Sequence, residues 1–391
     1  MAPTPHSSTD RAYPALVLWL VAGALGIWML ARAWQSPIPT LRGQLALQGQ
    51  TMGTTYTVRL LGAPGNLDAN QLKRQIDQRL EDVNRMMSTY LPESEVSRFT
   101  SHPADQWFEI SRQTADVVQQ ALELSRMSAG YYDITVAPLV NLWGFGPEGQ
   151  IDKRPSEELI AAAKKKVGFQ YLEVRTSSPA IRKTLDGLAI DLSSIAKGYG
   201  VDQVADLLDQ LKVKDYFIEI GGEVRVLGRN PSGMPWRIGI EAPMEDIRQA
   251  SIVLSMTGGS VATSGDYRNF FEDSNGNRYS HTIDPHTAQP VQSTLASVTV
   301  IADQCSLADG RATTIMALGS QRGMELAEKE RWPVLLMDRV GRSFRWSWSR
   351  EFQERFPELI ERLQSENANA DGGKATTDAT RFRQLSGAIP P

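Results

Sequence analysis

Cysteine is nearly absent from this chain. Of 391 residues only Cys305 carries a thiol, which excludes an intramolecular disulfide and any cysteine-built zinc or iron–sulfur centre. Lipid attachment to an amino-terminal cysteine is excluded for the same reason. An excess of positive charge is also missing: 41 Lys and Arg stand against 45 Asp and Glu, a formal net charge of −4. That balance offers no electrostatic footprint for a nucleic acid. Repeats of solenoid length and low-complexity blocks are lacking. What remains is ordinary globular material, 41% hydrophobic and 22% charged, enough for a substantial core and, by length, for one large domain or about two average ones.

Long apolar runs are absent with one exception. From Ala12 to Ala31 the chain runs 20 residues without a charge, and a helix of that length spans roughly 30 Å, the thickness of a bilayer's hydrocarbon. Trp19, Trp28 and Trp34 suit a spanning helix or its interfaces. A secretory signal would use Arg11 as its positive region and Ala31, Arg32 and Ala33 as the cleavage site, but signal cores usually run about 7 to 15 apolar residues. The longer run favours an uncleaved anchor. At the other end, Ser365 to Pro391 is rich in Asn, Asp, Gly, Thr and Gln and has too little apolar surface to order itself. The expected organisation is a cytoplasmic amino terminus (1–11), a membrane anchor or signal segment (12–34), a linker (35–43), one folded domain (44–363) and a disordered tail (364–391).

Within the folded part, Thr55 to Leu61 alternates as a strand, and Leu72, Ile76, Leu80 and Val83 recur at helical spacing up to Met87. A second helix carries Val117, Val118, Ala121, Leu122 and Ser125 and closes at Gly130; a third is predicted from Ser156 as N-cap, with Leu159, Ala163 and Val167 as its stripe and Gly168 as its stop. Leu188 to Leu192 reads as a short strand leading into a helix with Val201, Val204, Ala205, Leu208 and Leu211 on one face. Strands are expected over Tyr216–Ile220, Glu223–Leu227, Trp236–Ile240 and Ser251–Met256, then a hairpin turning at Asn275 and Gly276. A strand from Ser297 to Ala302 precedes a helix from Asp309 to Leu318. Helices and strands do not alternate regularly, so the expected class is α+β with largely antiparallel sheet.

Three segments could carry chemistry. Asp309 and Thr313 lie four apart on a helix and share a face, presenting a carboxylate and a hydroxyl suited to Mg²⁺. Asp191 to Gly198 passes from strand to helix, where free N–H groups and Lys197 would attract a phosphate. His281, before Ile283, Asp284 and Pro285, is one of only four histidines and a candidate general base. Each also has a structural reading: Asp309 as a helix N-cap, Thr313 bonded to its own helix, Lys197 solvated, His281 a packed histidine. Ser264 lacks the G-x-S-x-G context of a hydrolase nucleophile. Gly221 and Gly222 read as a tight turn between strands, and Tyr131 and Tyr132 as core or interface packing.

Together and in order, these segments resemble the ApbE family of FAD:protein FMN transferases. The matching blocks are Met52 to Tyr56, Met87 to Tyr90 with Ser94 to Phe99, Gly130 to Val136 continuing through Gly146, Ile190 to Asp202, Ile220 to Glu223, Ala262 to Tyr267, Ser280 to Pro285 and Ala308 to Thr314. The resemblance implies an ApbE-like α+β domain, preceded here by one transmembrane helix, that moves the FMN half of FAD onto a threonine of a target protein and releases AMP. It implies an FAD site lined by Met52, Tyr90, Tyr131, Tyr132, Asp133, Asp191, Lys197 and Ile283, and Mg²⁺ held by the Ser194 carbonyl and the side chains of Asp309 and Thr313. His281 would lie beside the phosphates as base, with Asp284 as runner-up. Acceptors would be flavoprotein subunits of membrane redox complexes, such as the Na⁺-translocating NADH:quinone oxidoreductase or the Rnf complex, met by a periplasmic domain anchored in the inner membrane. Two departures stand out: many relatives carry an Asp where this chain has Ala312, and Ala288 and Gln289 replace a common Thr-Gly pair. An FAD pyrophosphatase and a periplasmic FAD-binding protein without turnover remain open alternatives.

Overall fold

Period-two alternation of apolar side chains builds the centre of this protein. The computed structural model describes residues 44–62, 68–147, 149, 151, 154–241, 250–266, 270–272, 278–341 and 343–371. The run from Ala12 to Ala31 and the turn at Asn275 and Gly276 lie outside them. Among the described residues no helix is long and apolar enough to cross a membrane.

In chain order a hairpin of β1 (Gln44–Thr51) and β2 (Thr54–Leu61) leads to helices α1 (Ala69–Met87) and α2 (Glu95–Ser101). Strand β3 (Phe108–Glu109), helices α3 (Arg112–Met127), α4 (Ala137–Leu142) and α5 (Glu157–Lys164), and strands β4 (Leu172–Arg175) and β5 (Ala180–Lys183) follow. Helix α6 (Ser193–Gln210) precedes β6 (Asp215–Ile220), β7 (Glu223–Leu227), β8 (Trp236–Glu241), β9 (Ala250–Met256) and β10 (Gly258–Gly265). Two small hairpins, β11 (Phe270–Glu272) with β12 (Arg278–Ser280) and β13 (Ile283–Asp284) with β14 (Gln289–Pro290), come next. The chain closes with β15 (Leu295–Ala302), the long helix α7 (Cys305–Glu330), β16 (Val334–Val340), β17 (Ser343–Trp348), α8 (Arg350–Arg355) and α9 (Pro357–Asp371).

Eight strands form one sheet in the order β1-β2-β6-β7-β10-β15-β16-β17, with every neighbouring pair antiparallel. The expected α+β class with antiparallel sheet holds. All eight residues of β15 are buried because helices cover one face and further strands the other. Successive side chains point to opposite faces of a strand. Accordingly Val298 and Val300 pack with Ile195, Ala312 and Ile315, whereas Ile301 packs with Val224, Ile238, Leu254 and Phe352. Helix α1 buries Leu72, Ile76, Leu80, Val83 and Met87, a single stripe at three- and four-residue spacing. Helix α6 buries residues around most of its circumference, among them Gly198, Gly200 and Asp202. It lies inside the protein, between α7 and the sheet.

Four expectations need correction. Leu188 to Leu192 makes only an isolated bridge, Ala189 to Val136, not a strand, since α6 begins at Ser193 and no neighbouring strand runs alongside. In α5 the buried residue is Ile160, while Leu159 is 55% exposed; the helix stops at Lys164, so Val167 and Gly168 belong to the turn that follows. Helix α7 starts at Cys305, four residues before Asp309, and runs past Leu318 through a break at Gly319 (φ 76°). The tail is helical as far as Asp371, because Glu366 and Asn367 have partners on β17: the Trp346 indole donates to Glu366 at 3.1 Å, and the Trp346 N–H donates to Asn367 Oδ1 at 2.8 Å.

Candidate active site

The site forms where the first turns of α6 and α7 cross in front of β7 and β10. Asp191 turns the chain into α6 by accepting the Ser193 N–H at 2.7 Å, and the Asp191 N–H donates to the Ile134 carbonyl at 2.7 Å. Lys197, one turn in, extends between two carboxylates: its Nζ lies 2.9 Å from Glu223 Oε1 on β7 and 3.7 Å from Asp309 Oδ2 on α7. Asp309 Oδ2 also accepts the Gly198 N–H at 3.0 Å. The Thr313 hydroxyl meets the Ser264 hydroxyl on β10 at 3.3 Å, so the back-bonding expected of it belongs instead to its neighbour Thr314, which donates to the Gly310 carbonyl at 2.7 Å. Asp309 is in the second turn of its helix and is no N-cap.

A strap from Ala129 to Val136 joins this seam to a second patch. Tyr132, 3% exposed, holds the Ser194 hydroxyl at 2.9 Å. The Tyr131 ring lies 4.5 Å from the ring of His286, and Arg322 donates to its hydroxyl. Asp133 is taken up by the strap itself, accepting from the Thr135 N–H and hydroxyl at 2.7 Å each and from the Phe169 N–H at 2.8 Å. Ile283 packs with Leu139, Trp143, Ile160 and Ala288, and the Trp143 indole donates to the Ala288 carbonyl at 3.0 Å. His281 stands between β12 and β13, edge-on to Phe145 with ring centroids 6.4 Å apart. Asp284 has both oxygens in its own turn, accepting from the His286 N–H at 2.8 Å and the Thr287 hydroxyl at 3.1 Å. Ala288 adopts φ 58° in this turn, a left-handed conformation uncommon for any residue with a Cβ.

Two further residues named from the sequence approach from the sheet side. Met52 and Gly53, both with positive φ (49° and 70°), form the two-residue turn of the β1–β2 hairpin. Met52 Cε lies 2.8 Å from where a Cβ on Gly200 would be, so its side chain rests on α6. Tyr90 follows α1 and is 66% exposed.

Burial governs the electrostatics of the seam. It pushes the Asp309 carboxyl up to about 7, against the pull of Lys197 and the Gly198 N–H. For Lys197 burial acts to lower the pKa, but Asp309 and Glu223 outweigh it and hold the ammonium above its ordinary range. Burial first, then nearby carboxylates, raises the Tyr132 phenol, which stays protonated.

These residues fit a divalent cation. Two buried carboxyl groups face one ammonium, and a bound cation would draw both into the charged form. Glu223 Oε2 is buried with no hydrogen-bond partner. The donors are all oxygens: the Asp309 carboxylate, the Thr313 hydroxyl and the Ser194 carbonyl. A hard cation suits such a set. Among the described residues no three of His, Cys, Asp and Glu gather as a metal cluster, and Ala312 lies in the apolar core.

Sequence reasoning missed Glu223 and Asp202. Glu223 alternates with Val224 on a strand and reads as solvent-facing, yet it is 4% exposed because α6 covers that face. The available signal was a second charge two residues on, Arg225, which makes the same inward face polar.

Residues 52–336 match the ApbE family. The chain is 43% identical over 335 residues to the FAD:protein FMN transferase of Vibrio cholerae serotype O1, covering 86% of this chain and 98% of that protein. It is 37% identical to the enzyme of the same name from Escherichia coli K12, covering 78% and 88%. Among solved structures it resembles the flavin transferase ApbE from Vibrio cholerae (TM-score 0.74, 42% identity, 80% of this chain and 98% of that one). The apo form of the Pseudomonas stutzeri flavinyl transferase ApbE is similarly close (TM-score 0.73, 39% identity, 80% and 96%). By the family match over residues 52–336 and by these relatives, the chain belongs to the ApbE family.

Proposed function

We propose that this protein transfers FMN from FAD to a threonine hydroxyl of a target flavoprotein, releasing AMP. The observation that carries the reading is the α6–α7 seam, where Lys197, Glu223, Asp309 and Thr313 make a partly buried, oxygen-rich site beside a helix start. Mg²⁺ bound by the Ser194 carbonyl, Asp309 and Thr313 would supply Lewis-acid neutralisation of the pyrophosphate. Lys197 and the positive end of the α6 dipole add positive potential for the same phosphates. Tyr131 and Tyr90 offer aromatic surface for the flavin or adenine rings, binding energy remote from the reacting phosphorus. The threonine oxygen attacks the FMN-side phosphorus, the P–O bond to AMP breaks, and the threonine proton passes to His281. Imidazole is the side chain most often used to accept a proton in such a step.

We also read Ala12 to Ala31 as a single-pass anchor in the inner membrane, with the domain from Gln44 onward in the periplasm and flavoprotein subunits of membrane redox complexes as acceptors. The apolar length of that run supports the anchor.

Incubation of the purified protein with FAD and Mg²⁺, with and without an acceptor carrying threonine in an S/T-G-A-T context, tests the activity. FMN covalently bound to the acceptor, stoichiometric with AMP and abolished by chelator, is expected. AMP released at the same rate without acceptor would make the protein a pyrophosphatase, and retention of FAD with no product would leave only a binding protein.

A further inference from the structure

Asp202 sits on α6 one turn beyond Gly198 and on the same side of the helix. It is 7% exposed. Its Oδ1 accepts the Cys305 N–H and its Oδ2 the Ser306 N–H, each at 2.9 Å, and Arg225 on β7 donates to Oδ1 at 2.6 Å. The first N–H groups of a helix lack intrahelical acceptors and favour a negative partner. In α7 that partner is not local: Gln304, at the N-cap position, makes no side-chain cap bond. The carboxylate comes from another helix, 103 residues away in sequence from Cys305.

The bond is answered in the opposite sense. Asp309, one turn into α7, accepts the Gly198 N–H of α6 at 3.0 Å. Two carboxylates therefore make three bonds to amides across the same pair of helices, and the backbones between them touch. A Cβ on Gly198 would lie 2.4 Å from the Cys305 carbonyl oxygen and 2.8 Å from Ser306 Cα. Any slide or rotation of α7 along α6 must break these bonds.

We propose that Asp202 is a positioning residue for the flavin-transfer reaction: by capping α7 it sets the register in which Asp309 and Thr313 face Ser194 and Lys197, and Arg225 holds Asp202 in place for that task. The inference rests on the cation-assisted reading of the seam given above. It assigns Asp202 no contact with flavin or metal.

The test compares Asp202→Asn with Ser349→Ala. The asparagine keeps the size but removes the charge and one acceptor. Ser349 caps α8 on the other side of the sheet, accepting the Val334 N–H at 2.9 Å and donating to the Trp332 carbonyl at 2.6 Å, so its loss reports general destabilisation. Cys305, the only thiol in the chain and fully buried, is a built-in probe. In protein free of metal and flavin, maleimide labelling of Cys305 is expected to speed up roughly 3- to 30-fold in Asp202→Asn, the range that loss of one helix cap implies for local opening. Ser349→Ala should label at close to the wild-type rate at an equal folded fraction. Mg²⁺ affinity measured by calorimetry should weaken about 10- to 100-fold, with excess Mg²⁺ restoring turnover and FAD affinity retained. Labelling and Mg²⁺ affinity both unchanged from wild type, or activity lost only to the extent seen in Ser349→Ala, would overturn the proposal. Should Asp202→Asn not accumulate folded, Arg225→Gln takes its place with the same expected directions. If wild-type transfer itself proves independent of metal, the reading of the seam fails; a labelling rate unchanged in a metal-dependent enzyme sinks the positioning role alone.

Discussion

On one face of β7, Val224 and Val226 join Trp236, Ile238, Ile252 and Leu254 in an apolar cluster; on the other, Glu223 and Arg225 reach Lys197 and Asp202 of α6. The same strand thus serves two interiors with different physics. The apolar face is held by volume and area, which are non-directional and tolerate exchange among residues of similar size. The charged face is held by directed bonds in a poorly solvated place, where each group left without its partner is costly. Stability should therefore respond mainly to changes on the first face, and chemistry to changes on the second.

The sharpest break in this comparison is Asp309→Ala. Transfer should fall on the order of 10²- to 10³-fold, the scale of losing one electrostatic contact to a reacting centre. In metal-free protein the melting temperature should change far less than transfer does, because the desolvation cost relieved by removing a buried carboxyl offsets the loss of the acceptor for the Gly198 N–H. Steady-state transfer and calorimetric melting check the pair, and a variant that is both active and less stable would contradict it.

On the apolar face, Ile238→Ala should cost about 2–5 kcal/mol of unfolding free energy while transfer per folded molecule stays at the wild-type level. Urea titration with active-site counting distinguishes the two. Gly198→Ala falls between the faces: overpacking against the Cys305 carbonyl should cost about 1–3 kcal/mol, and unlike Ile238→Ala it should also weaken Mg²⁺ binding, since the seam must open to admit the methyl group.

The smallest expected effect concerns Asp133. Burial raises its carboxyl above the ordinary value of 3.8, with the Thr135 and Phe169 bonds opposing. A folded-state pKa above the unfolded one means that its contribution is present below about pH 3.8 and lost as pH rises through the raised value. Relative to Asp133→Asn, the wild-type protein should lose stability over that acid window and run parallel to the variant above it. Urea midpoints measured from pH 3 to 7 give the answer, and parallel curves throughout would rule the effect out.

Much of the fold was legible because its elements carry local patterns. The stripe Leu72, Ile76, Leu80, Val83 appears as a helix buried on that stripe, and Gly221 with Gly222 appears as the turn between β6 and β7 with φ of 61° and 106°. The errors came where a partner distant in sequence set the outcome. Residues Ser365 to Asp371 look too polar to fold until Trp346 is beside them, and α7 extends four residues before Asp309 because Asp202 supplies a cap that no nearby residue does. At the site, that Asp309 and Thr313 lie one turn apart on a single helix was readable from their spacing of four. That Lys197 lies between Glu223 and Asp309 was not, since the three residues come from α6, β7 and α7.

By itself, the sequence determined the class of the fold, the family, the positions of the turns and the residue types able to grip a pyrophosphate, because periodicity, glycine placement and short-range helix geometry act over a few residues. Only the tertiary structure decided which charges are buried, which of them meet, and which carboxylate caps which helix. The physical reason is that burial and pairing energies depend on what lies opposite in space, and in this protein the opposite partner is contributed by a segment as much as a hundred residues away.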